Sequence, residues 1–397
     1  MDSWQKLLAV NKTGIHDEDG SPQLTCTPKY VKEIPGETPR DPVIFFAQGG
    51  GRRIPLLKTM LTTACKNDCN YCAFRQQRDI QRYAFSPDEM ASVFMQMANK
   101  RKVEGIFLSS GIPGSPITCQ DRLLDTIAII RERYHYRGYV HLKIMPGADD
   151  EQLRQSLKYA DRLSINIEAA NALRLKDLAP SKQFDDVLLA TMKKLAQLIR
   201  DGKQDGIGKV PSLTTQIVTG AVGESDMELM AISQALYQHF KLARVYYSRF
   251  EPIENTPLEG NQPLDYTRYV RIYQASFLLR DYGFDMEEIP FGKDGNLPLN
   301  DDPKLAWARL HYSDAPVELN RLGKEELLRL PGIGPLGADR IYNFRKQHKI
   351  TSLKQLDSLG VVTARLAPFI LLDGHKIPHQ YPLWKTPPSI SLEKRSR

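Results

Sequence analysis

Three cysteines stand close together in this 397-residue chain, in the run Cys65-Lys66-Asn67-Asp68-Cys69-Asn70-Tyr71-Cys72. Thiolates at i, i+4 and i+7 on one short loop can converge on three corners of a cube-shaped iron–sulfur cluster. The fourth iron then takes no ligand from the loop and stands open to another molecule. Cys26 and Cys119 are isolated, and the nearest histidines are His16 and His135, so no second ligand pair is on offer. The alternative is a structural zinc site, but closed zinc sites need four ligands, usually as two close pairs, and only one close set exists here. Five cysteines in this arrangement do not read as a disulfide framework; they point to metal and to a reducing cytoplasm.

The elements that must hold this loop follow from the apolar patterning. Candidate strands are 56–62, 103–108, 139–145, 163–167, 214–218 and 245–250, and the cysteine loop directly follows the first of them. Helical patterns fill the intervals at 87–101, 121–134, 149–159, 184–201 and 226–241, the first opened by Ser86-Pro87-Asp88-Glu89. Strands alternating with helices imply parallel pairing through right-handed crossovers. Six such units form a partial barrel or, as the alternative, a doubly wound open sheet. Ser164, Asn166 and Glu168 alternate with Ile165 and Ile167, so three polar side chains share one face of a strand. In a barrel lumen that face is costly without a ligand.

The loop resembles the hallmark of the radical S-adenosylmethionine (radical SAM) superfamily, C-x-x-x-C-x-aromatic-C after the first strand, with Tyr71 in the aromatic slot. The resemblance implies a partial (β/α)6 TIM-like barrel and one 4Fe–4S cluster held by Cys65, Cys69 and Cys72. It also implies S-adenosylmethionine on the unique iron, cleaved reductively to a 5′-deoxyadenosyl radical that abstracts hydrogen from substrate. Ser109-Ser110-Gly111 stands where the family has a Gly-Gly-Glu-like turn for the methionine amino group; the acidic residue is absent, so a backbone role carries over. Ser164, Asn166 and Glu168 fall at the ribose-binding position. Gln216-Ile217-Val218-Thr219-Gly220-Ala221-Val222-Gly223-Glu224 is similar to the fifth-strand element near adenine, with its first glycine replaced, which places Ile217 and Gly220 at the cofactor. Arg75 and Arg78 are candidates for an anionic group or ordinary surface arginines, and Tyr246, Tyr247 and Arg249 for the substrate side or the core.

The charge is unevenly placed. The net is +7. Residues 320–375 carry nine basic and five acidic side chains and 376–397 five basic and one acidic, which leaves the first 319 near neutral. Within the first of these, Leu327 and Leu330 lead into Pro331-Gly332-Ile333-Gly334-Pro335-Leu336-Gly337-Ala338-Asp339-Arg340-Ile341. This run resembles the helix-hairpin-helix family, which implies a tight turn on glycines, Ile333 plugging the core, and free amides facing a phosphate. Gly332, Ile333, Gly334, Gly337 and Arg340 are the candidate nucleic-acid contacts, with Arg345, Lys346 and Lys349 adding charge. Such contacts read the backbone and depend on salt. A weak second copy, Leu359-Gly360-Val361, lies 28 residues after the first and reads as structural.

The order of parts resembles a bacterial family of radical SAM proteins associated with DNA modification or repair. The resemblance runs from about 40 to 375 and includes Phe250–Leu258 and Asp302–Ala308. The expected organisation is an N-terminal extension (1–50), the barrel (51–260), a helical and loop linker (261–319), a small all-α helix-hairpin-helix module (320–376) and a basic flexible tail (377–397). The resemblance implies a radical SAM enzyme acting on DNA, with an external electron donor. The alternatives are the same chemistry on RNA or tRNA, and a non-catalytic DNA-binding protein with a structural or redox-sensing cluster. No run of 18 apolar residues suggests a membrane span, and the N-terminus lacks a signal-peptide layout, so a cytoplasmic protein is expected.

Overall fold

The computed structural model describes residues 1–13, 43–49, 52–205 and 209–377. Cys26, the Gly50-Gly51 pair and the basic tail from 378 lie outside the described residues. The chain divides into two compact units, Met1–Ser276 with Phe291–Leu299, and Phe277–Pro290 with the chain from Asn300 onward.

In the first unit, α1 (Ser3–Thr13) and β1 (Ile44–Gly49) precede β2 (Arg52–Met60), α2 (Pro87–Asn99), β3 (Gly105–Ser109), α3 (Pro116–Ala128) and β4 (Tyr139–Lys143). There follow α4 (Asp150–Tyr159), β5 (Arg162–Ser164), α5 (Ala172–Leu178), α6 (Ala190–Gln204), β6 (Ser212–Thr219), α7 (Asp226–His239) and β7 (Arg244–Arg249). A further helix, α8 (Tyr266–Asp281), runs across the division between the units. The helix starts are written in the sequence: Ser86 caps α2 through the Glu89 amide with Pro87 in the first turn, and Asp149 and Ser225 open α4 and α7 with capping boxes.

The seven strands lie in one sheet in chain order, β1 to β7, with β1 antiparallel and the rest parallel. Chain order without reversal means every right-handed crossover steps the same way, so the helices cover one face and the sheet curls around the other. A doubly wound sheet reverses its strand order, so that alternative is set aside. β4 shows the division of labour. Val140 and Leu142 are fully buried beneath the helices, whereas Tyr139, His141 and Lys143 line the concave side. The six expected parallel strands are present; β1 is the addition. It and α1 fall where the sequence suggested only an extension. Leu7 and Val10 of α1 are buried, Lys6 bridges Glu89 at 2.7 Å, and β1 pairs from Ile44 to Gly49 with β2.

The second unit contains α9 (Pro303–Tyr312), β8 (Val317–Glu318), α10 (Lys324–Arg329), α11 (Pro335–Phe344), α12 (Leu353–Ser358), α13 (Thr363–Leu366), β9 (Ile370–Leu372) and β10 (His375–Lys376). It is not all-α. β9 pairs with β8 in parallel and with β10 through an Asp373-Gly374 turn, both residues at positive φ. That dipeptide is a strong hairpin signal, and the apolar Ile370 and Leu372 before it are buried. Trp307 anchors the core against Phe284, ring centroids 5.7 Å apart.

Candidate functional site

The cysteine loop leaves the C-terminal end of β2 and is held from two sides. On one side, Gly111 donates its amide to Thr62 O at 2.8 Å and Lys66 donates to Ile112 O at 2.7 Å. A side chain at Gly111 would place its Cβ 2.4 Å from Ala64 O, so only glycine lets the β3 turn approach so closely. The Ser110 hydroxyl donates to Gly111 O at 2.7 Å, and the buried Cys119 thiol meets the same carbonyl at 3.2 Å. On the other side, Asn70 donates its amide to Leu178 O and its side chain to Asp177 O, both at 2.8 Å, and Ser181 bonds Asp68 at 2.6 Å. Arg82 ties down the chain beyond the loop through Thr63, Phe74, Arg75 and Arg78 carbonyls at 2.7–3.0 Å. Arg78 is committed to Ala73 O at 2.7 Å, and the Nε atoms of Arg75 and Arg78 are buried without a hydrogen-bond partner.

Between these supports the three thiols share one loop, Cys69 buried and Cys65 and Cys72 half-buried. Burial pushes the Cys72 thiol up to about 12, with repulsion from Cys69 adding to it. Burial raises Cys69 as well, against the pull of the Lys182 ammonium, and Cys65 adds repulsion. The Phe74 amide donates to Cys72 Sγ at 3.4 Å, the kind of N–H···S contact that accompanies cluster ligation. Among the described residues no three His, Cys, Asp or Glu side chains could hold one metal ion together. Cluster ligation at these sulfurs would displace the thiol protons outright.

Glu168 and Lys182 complete the site from below. The Tyr71 hydroxyl donates to Glu168 Oε2 at 2.8 Å and Lys182 Nζ donates to Oε1 at 2.7 Å. Glu168 is 4% exposed and sits at φ 67, a left-handed conformation that a glutamate rarely adopts. Burial alone would raise its carboxyl; the Lys182 ammonium, Lys143 and the Tyr71 hydroxyl outweigh it and hold the group below the ordinary range. Lys182 is held above its ordinary value despite burial, by Cys69, Glu168 and Cys72. The aromatic residue between two cysteines is therefore latched to the segment that follows β5.

Of the remaining expected residues, Ser164, Asn166 and Tyr246 line the concave face. Ser164 Oγ meets His141 Nε2 at 2.8 Å, and Asn166 Oδ1 accepts from Lys143 Nζ at 2.5 Å. Ser109 Oγ donates to Thr59 O at 3.3 Å. Ile217 is fully buried and bridges Glu168 in the ladder. Gly220 has φ 90 with Leu264 against it, and the Glu224 carboxylate closes that turn by accepting from the Gly220 and Val222 amides. Tyr246 lines the lumen, whereas Tyr247 is a core residue bonded to Ser233 at 2.6 Å. Arg249 is spent on Leu264 O at 2.7 Å and on Glu251. The sequence reading missed Lys182, Lys143, His141 and Arg162. Alternation through Tyr139-Val-His-Leu-Lys143 could have found two of them; Lys182 lies in a loop with no periodic mark.

In the second unit, Gly332 takes φ 85 and Gly360 φ 80 at corresponding turns. The Val362 amide donates to Gly332 O at 3.1 Å, and a Cβ at Gly332 would lie 2.4 Å from Val362 O. Ile333 and Val361 are the matching buried plugs, at 1% and 5% exposure. The first helical bond of α11 runs from Ala338 N to Gly334 O at 2.8 Å, so the Leu336 and Gly337 amides have no partner within the helix. Leu336 and Arg340 are exposed, and Gly337 is buried at the helix crossing. Arg345 is not surface charge: it donates to the Leu319 and Leu322 carbonyls at 2.5 Å each. Lys349 is paired with Asp373.

Residues 59–230 match the model of the Radical SAM superfamily. Solved structures with a similar trace include HydG, a maturase of the [FeFe]-hydrogenase, 14% identical with a TM-score of 0.45, covering 57% of this chain and 49% of that one. Methylornithine synthase (PylB) is 20% identical with a TM-score of 0.44, over 58% and 64%. A radical SAM methyltransferase from Sphaerobacter thermophilus is 14% identical with a TM-score of 0.43, over 59% and 66%. This chain thus spans half to two thirds of the length of these proteins. A search of curated proteins gave no match. The stretch that carries the cysteine loop, residues 59–230, is thus similar to the Radical SAM superfamily, whose cofactors are a 4Fe–4S cluster and S-adenosylmethionine.

Proposed function

We propose that the protein is a radical SAM enzyme that acts on DNA, gripping the strand by backbone contacts from the turn before α11. Cys65, Cys69 and Cys72 hold the cluster. The Ser109-Ser110-Gly111 turn, Ser164, Asn166 and Glu168 on the β5 side, and Ile217 and Gly220 on the β6 side face the cofactor. When bound, the cluster and S-adenosylmethionine supply an electron, received from an external donor, and a 5′-deoxyadenosyl radical that removes a hydrogen atom from substrate. The chain's own part is positional: Tyr71, Glu168 and Lys182 fix the cysteine loop against the strand face that would orient the cofactor. The observation that carries the nucleic-acid reading is the Gly332–Gly337 turn, whose unpartnered helix-start amides and exposed Arg340 suit a phosphate. A base inside a duplex would have to leave the stack to be reached.

The test is binding of a fluorescent duplex DNA and of a tRNA across a salt series. DNA affinity should fall steeply with salt and be insensitive to sequence, and Arg340→Gln should lower the slope by about one unit, the share of one phosphate contact. Tighter binding of tRNA than of DNA would move the substrate to RNA. Equal affinity of wild type and Arg340→Gln for both would remove the turn from nucleic-acid binding.

A further inference from the structure

The lumen of the curled sheet holds a cavity that shares Ser164 and Asn166 with the proposed cofactor residues and is otherwise lined by side chains to which no role has been given. It is lined by Tyr139, His141 and Lys143 of β4, Arg162 and Ser164 of β5, and Tyr246 of β7, among others, with the rings of Phe45 and Phe107 as its apolar wall. Lys58 Nζ lies 5.7 Å and 5.8 Å from these two rings, and Lys143 Nζ 5.9 Å from Phe107. His141 is stacked on Phe107 with centroids 4.0 Å apart. Burial, reinforced by Arg162, Lys143 and Lys58, takes its imidazole well below the ordinary value, so the ring is neutral.

Neither Arg162 nor Lys143 is met by a negative charge. Among the described residues no carboxylate lines this cavity. Arg162 is met by Ser212 Oγ at 3.0 Å and the Tyr246 hydroxyl at 3.3 Å, and Lys143 by Asn166, all neutral partners. The carboxylates nearby are committed elsewhere: Glu168 to Tyr71 and Lys182, and Asp161 to Arg131 and Lys209. Cations gathered in a partly dry lumen repel one another unless an anion joins them. Their donors come from β4, β5 and β7 and therefore approach from several directions. That geometry suits the tetrahedral oxygens of a phosphate better than a planar carboxylate, which one arginine fork can satisfy alone.

We infer that this cavity is a phosphate subsite, in which Arg162, Lys143 and the Tyr246 hydroxyl hold a phosphate group of the substrate. The inference rests on the radical-enzyme reading for its role but not for its detection. Arg162 stands at the start of β5, and Lys143 and Asn166 near the strand ends from which the cysteine loop also springs. A phosphate seated at Arg162 leaves the rest of the molecule extending toward the cluster.

The experiment is calorimetric titration of the full-length, anaerobically reconstituted protein with inorganic phosphate, thymidine 5′-monophosphate and thymidine. The two phosphates should bind and the nucleoside should bind at least about tenfold more weakly, as expected for lost charge-assisted bonds. Tighter binding of the monophosphate assigns the group to a nucleotide; equal binding assigns it to a free phosphate. Arg162→Gln should weaken both by at least about tenfold, and Tyr246→Phe should weaken them less and serves if Arg162→Gln melts early. Wild-type protein that binds no phosphate, or binds thymidine as well, overturns the subsite, as does undiminished binding by both lumen variants. Formation of 5′-deoxyadenosine in the same wild-type preparation separates the two readings: cofactor cleavage without phosphate binding sinks the subsite alone, and the reverse sinks the radical reading alone.

Discussion

Replacing Cys69 with alanine should abolish reductive cleavage of S-adenosylmethionine and leave the barrel folded. The reasoning starts from the donor count. Among the described residues the three thiols of one loop are the proposed ligand set, since Cys119 is engaged with Gly111 O on another element. A cluster deprived of one of three sulfurs has no substitute within reach, so iron and sulfide content should fall with it. We expect activity to drop by about a thousandfold or more, equivalent to about 4 kcal/mol or more of barrier. The fold should survive, because a buried thiol converted to a methyl group removes few contacts and leaves the loop's ties to Leu178, Asp177 and Ile112 intact. Iron analysis, anaerobic product assay and thermal melting of the same preparation check it. A Cys69→Ala protein with full iron content and wild-type turnover would take the cysteine loop out of the chemistry.

The second large effect concerns Lys182. Lys182→Met leaves the Glu168 carboxylate buried with only the Tyr71 hydroxyl on its own oxygens. Removing one partner of a buried ion pair costs about 3–5 kcal/mol, because the remaining charge is stranded away from water. At about 2–4 °C per kcal/mol for a unit of this size, the melting temperature should fall by about 6 °C or more. The double variant Lys182→Met with Glu168→Gln should recover part of the loss, since a neutral amide strands no charge. That recovery distinguishes an electrostatic role from simple loss of packing. A single variant as stable as the wild type would show that water or another cation reaches Glu168.

These two predictions also mark how far the sequence was legible. The cysteine loop was, because its chemistry is local: spacing, the aromatic between two ligands and the preceding strand all lie within a few residues. The polar face Ser164, Asn166 and Glu168 was legible only in part: β5 ends at Ser164, and Glu168 follows in a left-handed conformation that strand alternation does not describe. The latch on that face was not. Tyr71 and Glu168 are 97 residues apart and Lys182 follows Glu168 by 14, on a loop without period. Nothing local marks a lysine that folds back under a cluster loop.

The second unit teaches the same lesson in the other direction. Charge counting placed Arg345 with the outward-facing cations, but two of its guanidinium nitrogens donate to the Leu319 and Leu322 carbonyls and its Nε is buried. Composition gives the number of charges and not their direction. Conversely, the duplicated turn was visible as glycines 28 residues apart, and Gly332 and Gly360 do occupy the same left-handed conformation above buried Ile333 and Val361. Left-handed backbone is a local demand, and glycine is the local answer. The strands β8 to β10 were missed although Asp373-Gly374 announces a hairpin, because two- and three-residue strands carry too little periodicity to stand out from short helices.

The central claim, that a radical generated at the Cys65–Cys72 loop takes hydrogen from nucleic acid, has one direct measurement. Anaerobically reconstituted and reduced protein is given S-adenosylmethionine and uniformly deuterated duplex DNA, and the 5′-deoxyadenosine formed is weighed by mass spectrometry. Our account predicts 5′-deoxyadenosine that has gained deuterium from the DNA. Cofactor cleavage that never acquires deuterium from DNA would contradict the substrate, and no cleavage under any condition would contradict the chemistry itself.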